Sequence, residues 1–262
     1  MPRQFKPTKS RELFVGREKE LEAILTLLKK NVTKWIVQIT GEGGIGKSRF
    51  LEYLIQVIRK SKDTAKWQCS KIIDFYKTSN QTPLGLLNVI VLQLGREHFR
   101  TFENERRNYD EVLKNQPDPS LQQEAFNRTT EAFFEDWHSY LNQGRHVVLF
   151  FDACEEIHVN SGWIGKVMLP RMWEILQSIQ GEEWAARPKI EPFPLQFVPI
   201  FAGRKPIPVD KDLERFVLHL PLEPLSKKDF TKFFEEAGWY PGKITRKQLN
   251  ELNIRCGGRP LY

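Results

Sequence analysis

Gly41-Glu42-Gly43-Gly44-Ile45-Gly46-Lys47-Ser48 is the stretch whose reading decides the fold. It fits the pattern G-x-x-x-x-G-K-[ST], the phosphate-cradling P-loop. Its surroundings matter more than its letters. Before it, Trp35-Ile36-Val37-Gln38-Ile39-Thr40 is a short apolar, β-branched run, the composition of a buried strand. After it, from Ser48 to Lys60, Leu51, Leu54, Ile55 and Ile58 recur at helical spacing. Four glycines let the backbone turn tightly and leave bare N–H groups to face an anion. The positive N-terminal end of the following helix points at the same place. In that setting Lys47 would reach the β- and γ-phosphates and the Ser48 hydroxyl would ligate Mg2+. Gly41, Glu42, Gly43, Gly44, Ile45, Gly46 and the adjoining Arg49 complete the expected cradle. A glycine-rich turn that binds nothing is the alternative, but it would not require the strand and the helix on either side.

Downstream, His146-Val147-Val148-Leu149-Phe150-Phe151-Asp152 is a continuous apolar run ending in a carboxylate. That is the pattern of a strand buried on both faces. Ligands of open α/β sheets sit outside the carboxyl ends of the strands, so Asp152 is expected beside the P-loop, holding Mg2+ directly or through water. A strand-end aspartate capping a turn is the plainer reading. Glu155 and Glu156 follow, and one of them can orient a water for attack on a γ-phosphate. Spacing favours Glu155, and His158 reads as incidental. The next strand, Leu195 to Arg204, carries Pro199, which lacks a ladder donor and so predicts a bulge or a break. Arg204 at its carboxyl end suits a γ-phosphate sensor, or else is a surface arginine.

The remaining pattern predicts a helix after Gly16, strands at Lys71–Tyr76 and Phe216–Leu220, and helices at Thr82–Gly95, Leu121–Leu141 and Trp163–Ile179. Residues 99–120 are charged and end in the loop Asn115-Gln116-Pro117-Asp118-Pro119, and residues 181–194 form a proline-bearing loop. Ser226-Lys227-Lys228-Asp229 faintly matches a guanine-reading motif, but a serine three residues before an acid and ahead of Phe230, Phe233 and Phe234 is a helix start. A second helix follows from Thr245 to Arg255. Strands alternating with helices predict a parallel sheet in a three-layer α/β/α domain. The expected divisions are an arm at residues 1–12, the P-loop domain at 13–220 and a small helical subdomain at 221–262, cut from a longer chain.

The chain has 262 residues, of which 40% are hydrophobic and 28% charged, an ordinary globular composition. No signal peptide opens it, and its longest apolar stretch, Leu84 to Leu94, is too short for a bilayer. Three scattered cysteines suggest neither a disulfide framework nor a zinc site, and read as a reducing cytoplasm. The net charge is +7, with basic clusters near the N-terminus, at Arg59–Lys66 and at Lys243–Lys247. Acidic runs interleave and stacking aromatics do not, so solvated faces are favoured over a nucleic-acid footprint.

Together these pieces resemble the STAND class of signalling P-loop NTPases, which includes the NB-ARC and NACHT switches and many bacterial relatives. The segments that carry the resemblance are Phe14-Val15-Gly16-Arg17-Glu18, the Gly41–Ser48 loop, Phe151-Asp152-Ala153-Cys154-Glu155, Phe201-Ala202-Gly203-Arg204 and Gly258-Arg259-Pro260-Leu261. They span nearly the whole chain in the right order. The resemblance implies an ATP/ADP switch with Mg2+ and slow hydrolysis. It also implies that Val15, Gly16 and Arg17 line an adenine pocket, that Pro260 sits on the adenine, and that Arg204 is a sensor. Asp152 is not followed directly by an acid, as it is in many ATPases of the wider AAA+ group, which leaves hydrolysis and the role of Glu155 open. The resemblance further implies self-association or effector and sensor domains in the parent chain. An origin-recognition-like DNA-processing ATPase and a non-hydrolysing nucleotide clamp remain as alternatives.

Overall fold

The computed structural model describes residues 14–30, 33–115, 118–157, 161–181 and 195–259. The expected N-terminal arm, His158, Pro260, Leu261 and residues 182–194 of the proline-bearing loop lie outside them. Helix α1 (Glu18–Lys29) carries Glu18 and Glu20 in its first turn, where carboxylates favour the helix dipole. Then come β1 (Ile36–Thr40), α2 (Lys47–Lys60), β2 (Trp67–Asp74), α3 (Pro83–Leu94), α4 (Arg100–Asn115), α5 (Pro119–Asn142) and β3 (His146–Asp152). A turn of helix and a π-helical turn at Ile164–Met168 run into α6 (Leu169–Gln180). Strand β4 (Phe197–Gly203), the short α7 (Lys211–Glu214), β5 (Val217–Pro221), α8 (Lys227–Glu236) and α9 (Arg246–Cys256) complete the order.

The five strands form one sheet in the order β2-β3-β4-β1-β5, and every pairing is parallel. From β1 the chain crosses to the far edge at β2, then works back through β3 and β4 and over β1 to β5. Right-handed crossovers in opposite directions put helices on both faces, which is the three-layer arrangement the alternating pattern predicted. The direction reverses between β1 and β4. That reversal opens a crevice at their carboxyl ends, the usual place for a ligand in such a sheet.

Two expectations need correction. Pro199 neither bulges nor breaks its strand: the β3–β4 register runs evenly from Val147↔Phe197 to Phe151↔Phe201, with Pro199 opposite Leu149. Pairing with β1 starts one residue later, at Val37↔Ile200, so the missing N–H falls before that ladder begins. The irregularity lies instead in β2, where the register shifts between Cys69 and Ile72 and the Ser70 hydroxyl accepts the Phe150 N–H at 3.0 Å. In the charged segment after residue 99, the sequence reading missed α4. Its start is capped from another helix: Asp136 on α5 accepts the Phe102 N–H at 2.9 Å.

The main core lies on the sheet, and under α3 to α5 it is rich in rings. Phe99, Phe102, Phe133, Trp137 and Phe197 are all fully buried. Truncating one such ring to alanine costs about 3–5 kcal/mol. A separate small cluster of Leu225, Phe230, Phe234 and Leu249 holds α8 against α9. The Ser226 hydroxyl accepts the Asp229 N–H at 3.1 Å, so this serine does start a helix. Among the described residues no helix is long and apolar enough to cross a membrane.

Candidate functional site

The loop from Gly41 to Gly46 joins β1 to α2, and left-handed glycines shape it. Gly44 has φ +75° and Gly46 has φ +101°, angles that an L side chain adopts only with strain. At Gly41 the limit is space, since a Cβ there would meet the Leu222 carbonyl oxygen at 2.9 Å. At Gly44 nothing lies within 4 Å of where a Cβ would be, so one side of the loop is open. Lys47 is buried, and its Nζ donates to the Gly41 carbonyl at 2.7 Å and the Glu42 carbonyl at 3.0 Å. Burial pulls its pKa down; the carboxylates of Glu155 and Asp152 push it back up, and Arg204 lowers it further. Lys47 therefore sits within the electrostatic reach of all three. Ser48 is exposed in the first turn of α2, and Arg49 reaches Glu52 Oε2 at 3.0 Å.

The neighbouring strand ends supply the other expected groups. Asp152 ends β3, with Oδ1 accepting the Ala153 N–H at 2.9 Å. Ala153 has φ +56°, a left-handed conformation in a non-glycine residue, and it turns the chain sharply into Cys154, Glu155 and Glu156. Cys154 is buried, which raises its thiol pKa well above the usual value, and Asp152 adds to the rise. Glu155 meets Arg204 twice: Oε2 accepts the Arg204 backbone N–H at 3.0 Å, and Oε1 lies 3.3 Å from Nε. Asp152 is not on the strand next to the P-loop, because β4 and Arg204 stand between them. Gln38, buried in β1, donates to the Ile207 carbonyl at 3.0 Å and so holds the loop that follows Arg204.

The N-terminal segment packs against the chain that follows β5. Val15 and Arg17 are buried, and an Arg17 guanidinium nitrogen donates to the Glu223 carbonyl at 2.5 Å. Gly16, at φ +79°, has Asp229 Cβ and Leu225 Cδ2 each 2.9 Å from where its own Cβ would be. The strap from Leu222 to Leu225 is held from three sides. Leu222 N–H donates to the Thr40 carbonyl at 2.7 Å, Arg17 holds Glu223, and Leu225 N–H donates to the Gly258 carbonyl at 2.8 Å. Arg259 follows Gly258 and forms an ion pair with Glu42 in the P-loop. Sequence reasoning did not single out this arginine for the phosphate end of the site, because its partner is 217 residues away. Pro260 lies outside the described residues, so the structure does not place it.

The family model described as AAA ATPase domain matches residues 13–166, more than half of the chain. No curated protein matches. Among solved structures, the Aeropyrum pernix ORC2 protein in ADPNP–ADP complexes is similar at 14% identity and a TM-score of 0.49, over 96% of this chain and 58% of that one. A STAND protein with a tetratricopeptide repeat sensor from Pyrococcus horikoshii is similar at 19% identity and a TM-score of 0.42, over 95% of this chain and 29% of that one. Domain III of the Thermotoga maritima replication initiation protein DnaA is similar at 12% identity and a TM-score of 0.43, over 96% and 82%. The chain thus spans less than two thirds of the first two of these structures.

Proposed function

Because the chain belongs to the AAA ATPase domain family, we propose that it is a STAND-type switch in which ATP or ADP, held by the P-loop, fastens a helical subdomain to the sheet domain. The fold is that of an α/β P-loop ATPase. The observation that carries the switch reading is the strap at Leu222–Leu225. Arg17, the strand leading into the P-loop and Gly258 all grip it, and it links the two hydrophobic clusters, with Leu222 in one and Leu225 in the other.

The residues present fit a nucleotide. Gly44 leaves one side of the loop open, and the buried Lys47 ammonium is turned onto the loop's own carbonyl oxygens. In this reading Gly41 to Arg49 cradle the phosphates, Val15 to Arg17 border the base, and Pro260 completes that side. The Ser48 hydroxyl and the Asp152 carboxylate are hard oxygen donors suited to Mg2+. Bound there, the metal would neutralise developing phosphate charge. Glu155 is the group for the attacking water, and Arg204 the cation for the γ-phosphate.

Calorimetry with ADP, melting and limited proteolysis test this reading. At a hundredfold excess over Kd a single-site ligand adds about 2.7 kcal/mol, worth roughly 5–10 °C in a domain of this size. ADP should also protect residues 226–259 from cleavage. Heat of binding without that protection would leave an ATPase but remove the switch.

A further inference from the structure

We propose that the amino edge of the sheet is a docking surface for an extended acidic segment of a partner protein. This edge lies at the opposite ends of the strands from the P-loop, and the inference does not depend on the nucleotide reading.

All five strands are parallel, so they start along one edge. Lys66 immediately precedes β2 and Arg145 immediately precedes β3, while Lys34 and Arg215 stand two residues before β1 and β5. The registers make them neighbours in pairs, since Trp67 is opposite His146 and Ile36 is opposite Val217. The row is broken at β4, which Gln196 precedes. It crosses four strand spacings, about 19 Å at roughly 4.8 Å each. Lys34 Nζ donates to the Arg215 carbonyl at 2.6 Å, and the Arg145 guanidinium lies 4.5 Å from the centre of the Tyr140 ring, so parts of the row are fixed by their own chain. Helices α1 and α2 end at the same edge. Trp67 Nε1 donates to the Leu28 carbonyl at 3.0 Å, and Lys60 closes α2 with Lys62 just beyond it.

Among the described residues, none of Lys34, Lys60, Lys62, Lys66, Arg145 and Arg215 is ion-paired with a carboxylate. The carboxylates at hand are Asp63, taken by Lys29 at 2.9 Å, and Glu214. Glu18 and Glu20, which stand among basic residues in the sequence, begin α1 at its far end. Lys60 suits the C-terminus of a helix. The row at the strand starts has no such use in folding, because like charges side by side are destabilising. It is complementary instead to an anionic partner.

Two features select an acidic peptide among anions. A helix leaves its last carbonyls without partners inside the helix, so α1 and α2 bring acceptors to this edge as well as cations. A peptide supplies N–H donors beside its carboxylates, and a phosphodiester backbone supplies none. Nucleic-acid phosphates are commonly met by helix N-termini, and those of α1 and α2 point to the opposite edge. Second, none of the exposed large apolar side chains among the described residues lies in the segments that make the edge, 29–34, 59–66, 143–145 and 214–215. Nothing there would enter a bilayer, and firm membrane binding needs more than charge. About six extended residues cover the row.

Fluorescence polarisation of the full chain with a labelled peptide of alternating glutamate and serine tests this, beside an alternating lysine and serine peptide, a short DNA duplex and phosphatidylserine vesicles. The acidic peptide should bind saturably, and several-fold more weakly at physiological than at low salt, since exposed charges are screened. Lys66→Glu with Arg215→Glu should weaken it about tenfold. Lys227→Glu with Lys247→Glu makes the same change of net charge on the exposed surface of the helical subdomain, and should leave binding unchanged. Should the reversed pair fail to fold, Lys66→Gln with Arg215→Gln takes its place: it should weaken the peptide by a smaller factor and melt no lower than the parent. The proposal is overturned by no saturable binding of the acidic peptide, by equal weakening in the row and control variants, or by binding of the lysine peptide, the duplex or the vesicles that exceeds that of the acidic peptide. A chain that binds no ADP yet holds the acidic peptide through the row would remove the nucleotide reading and keep this one.

Discussion

Arg204 holds Glu155 by both main chain and side chain, at 3.0 Å from its backbone N–H and 3.3 Å from its Nε. The carboxylate is mostly buried and the guanidinium mostly exposed, with 19% and 60% of the side-chain surface accessible. Both oxygens of the Glu155 carboxylate thus face Arg204. In the proposed reading Glu155 serves the attacking water once the guanidinium turns away. A γ-phosphate arriving in the crevice between β1 and β4 is a competing anion for that guanidinium. Arrival of substrate and release of the base would then be one event.

Glu155→Gln is therefore expected to keep nucleotide binding and to slow ATP hydrolysis by about a hundredfold, the usual share of a positioned base. Glu156→Gln should change turnover little. A phosphate-release assay at saturating ATP reads both. The reverse ranking would move the base to Glu156.

Lys47 gives a prediction with opposite signs for stability and function. Its pKa is lowered chiefly by burial, so folding with the lysine charged costs free energy at neutral pH. Below the lowered pKa both folded and unfolded states are charged and the full cost is present. It fades as pH climbs from the lowered pKa to the ordinary lysine value. Lys47→Met removes the charge while keeping the length. Without nucleotide it should melt no lower than the parent, and roughly 2 °C higher at neutral pH. The gain should shrink as pH rises toward the ordinary lysine value, and the ADP-induced rise should vanish. A nucleotide-free melting temperature well below the parent's would show that the lysine's bonds to Gly41 and Glu42 outweigh its burial.

Gly165 lies in the π-helical turn before α6 and presses on the loop that follows Arg204. A Cβ there would meet the Pro208 carbonyl oxygen at 2.0 Å, and the Gly165 carbonyl accepts the Asp210 N–H at 3.3 Å. Gly165→Ala must push the 205–210 loop outward, at about 1–3 kcal/mol for overpacking. Since that loop starts at Arg204, hydrolysis should fall several-fold while ADP affinity holds. Melting and turnover in parallel check this, and unchanged turnover would uncouple the loop from the arginine.

The sequence disclosed most where structure is made locally. Strand, P-loop and helix around Lys47 follow from short-range periodicity and glycine spacing, and Asp152 from an unbroken apolar run. The α4 helix was hidden because its start is capped by Asp136 from another helix. The Pro199 expectation failed because a period-two pattern does not say where pairing with the next strand begins. Arg204 was read as a candidate sensor, yet its bond to Glu155 spans 49 residues and no spacing rule predicts it. Arg259 lay in plain view inside a matched motif, but the residue it pairs with is set only by the folded strap.

That strap supplies the last prediction. Gly16 and Gly258 clasp Leu225 from opposite ends of the chain, both left-handed and both without room for a methyl group. Gly16→Ala adds the left-handed penalty of about 1–2 kcal/mol and a Cβ 2.9 Å from Leu225 Cδ2 and Asp229 Cβ. Asp229 is in the first turn of α8, so the clash levers the small cluster of Leu225, Phe230, Phe234 and Leu249 away from the sheet domain. Gly238→Ala is the control: at φ +69° it carries the same backbone strain, but nothing lies within 4 Å of the added methyl. Both variants should lose melting temperature. Only Gly16→Ala should open residues 226–259 to protease without nucleotide and need more ADP to close them. Should Gly16→Ala and Gly238→Ala give the same cleavage pattern at every ADP concentration, the strap does not tie the two clusters together, and the switch must act elsewhere.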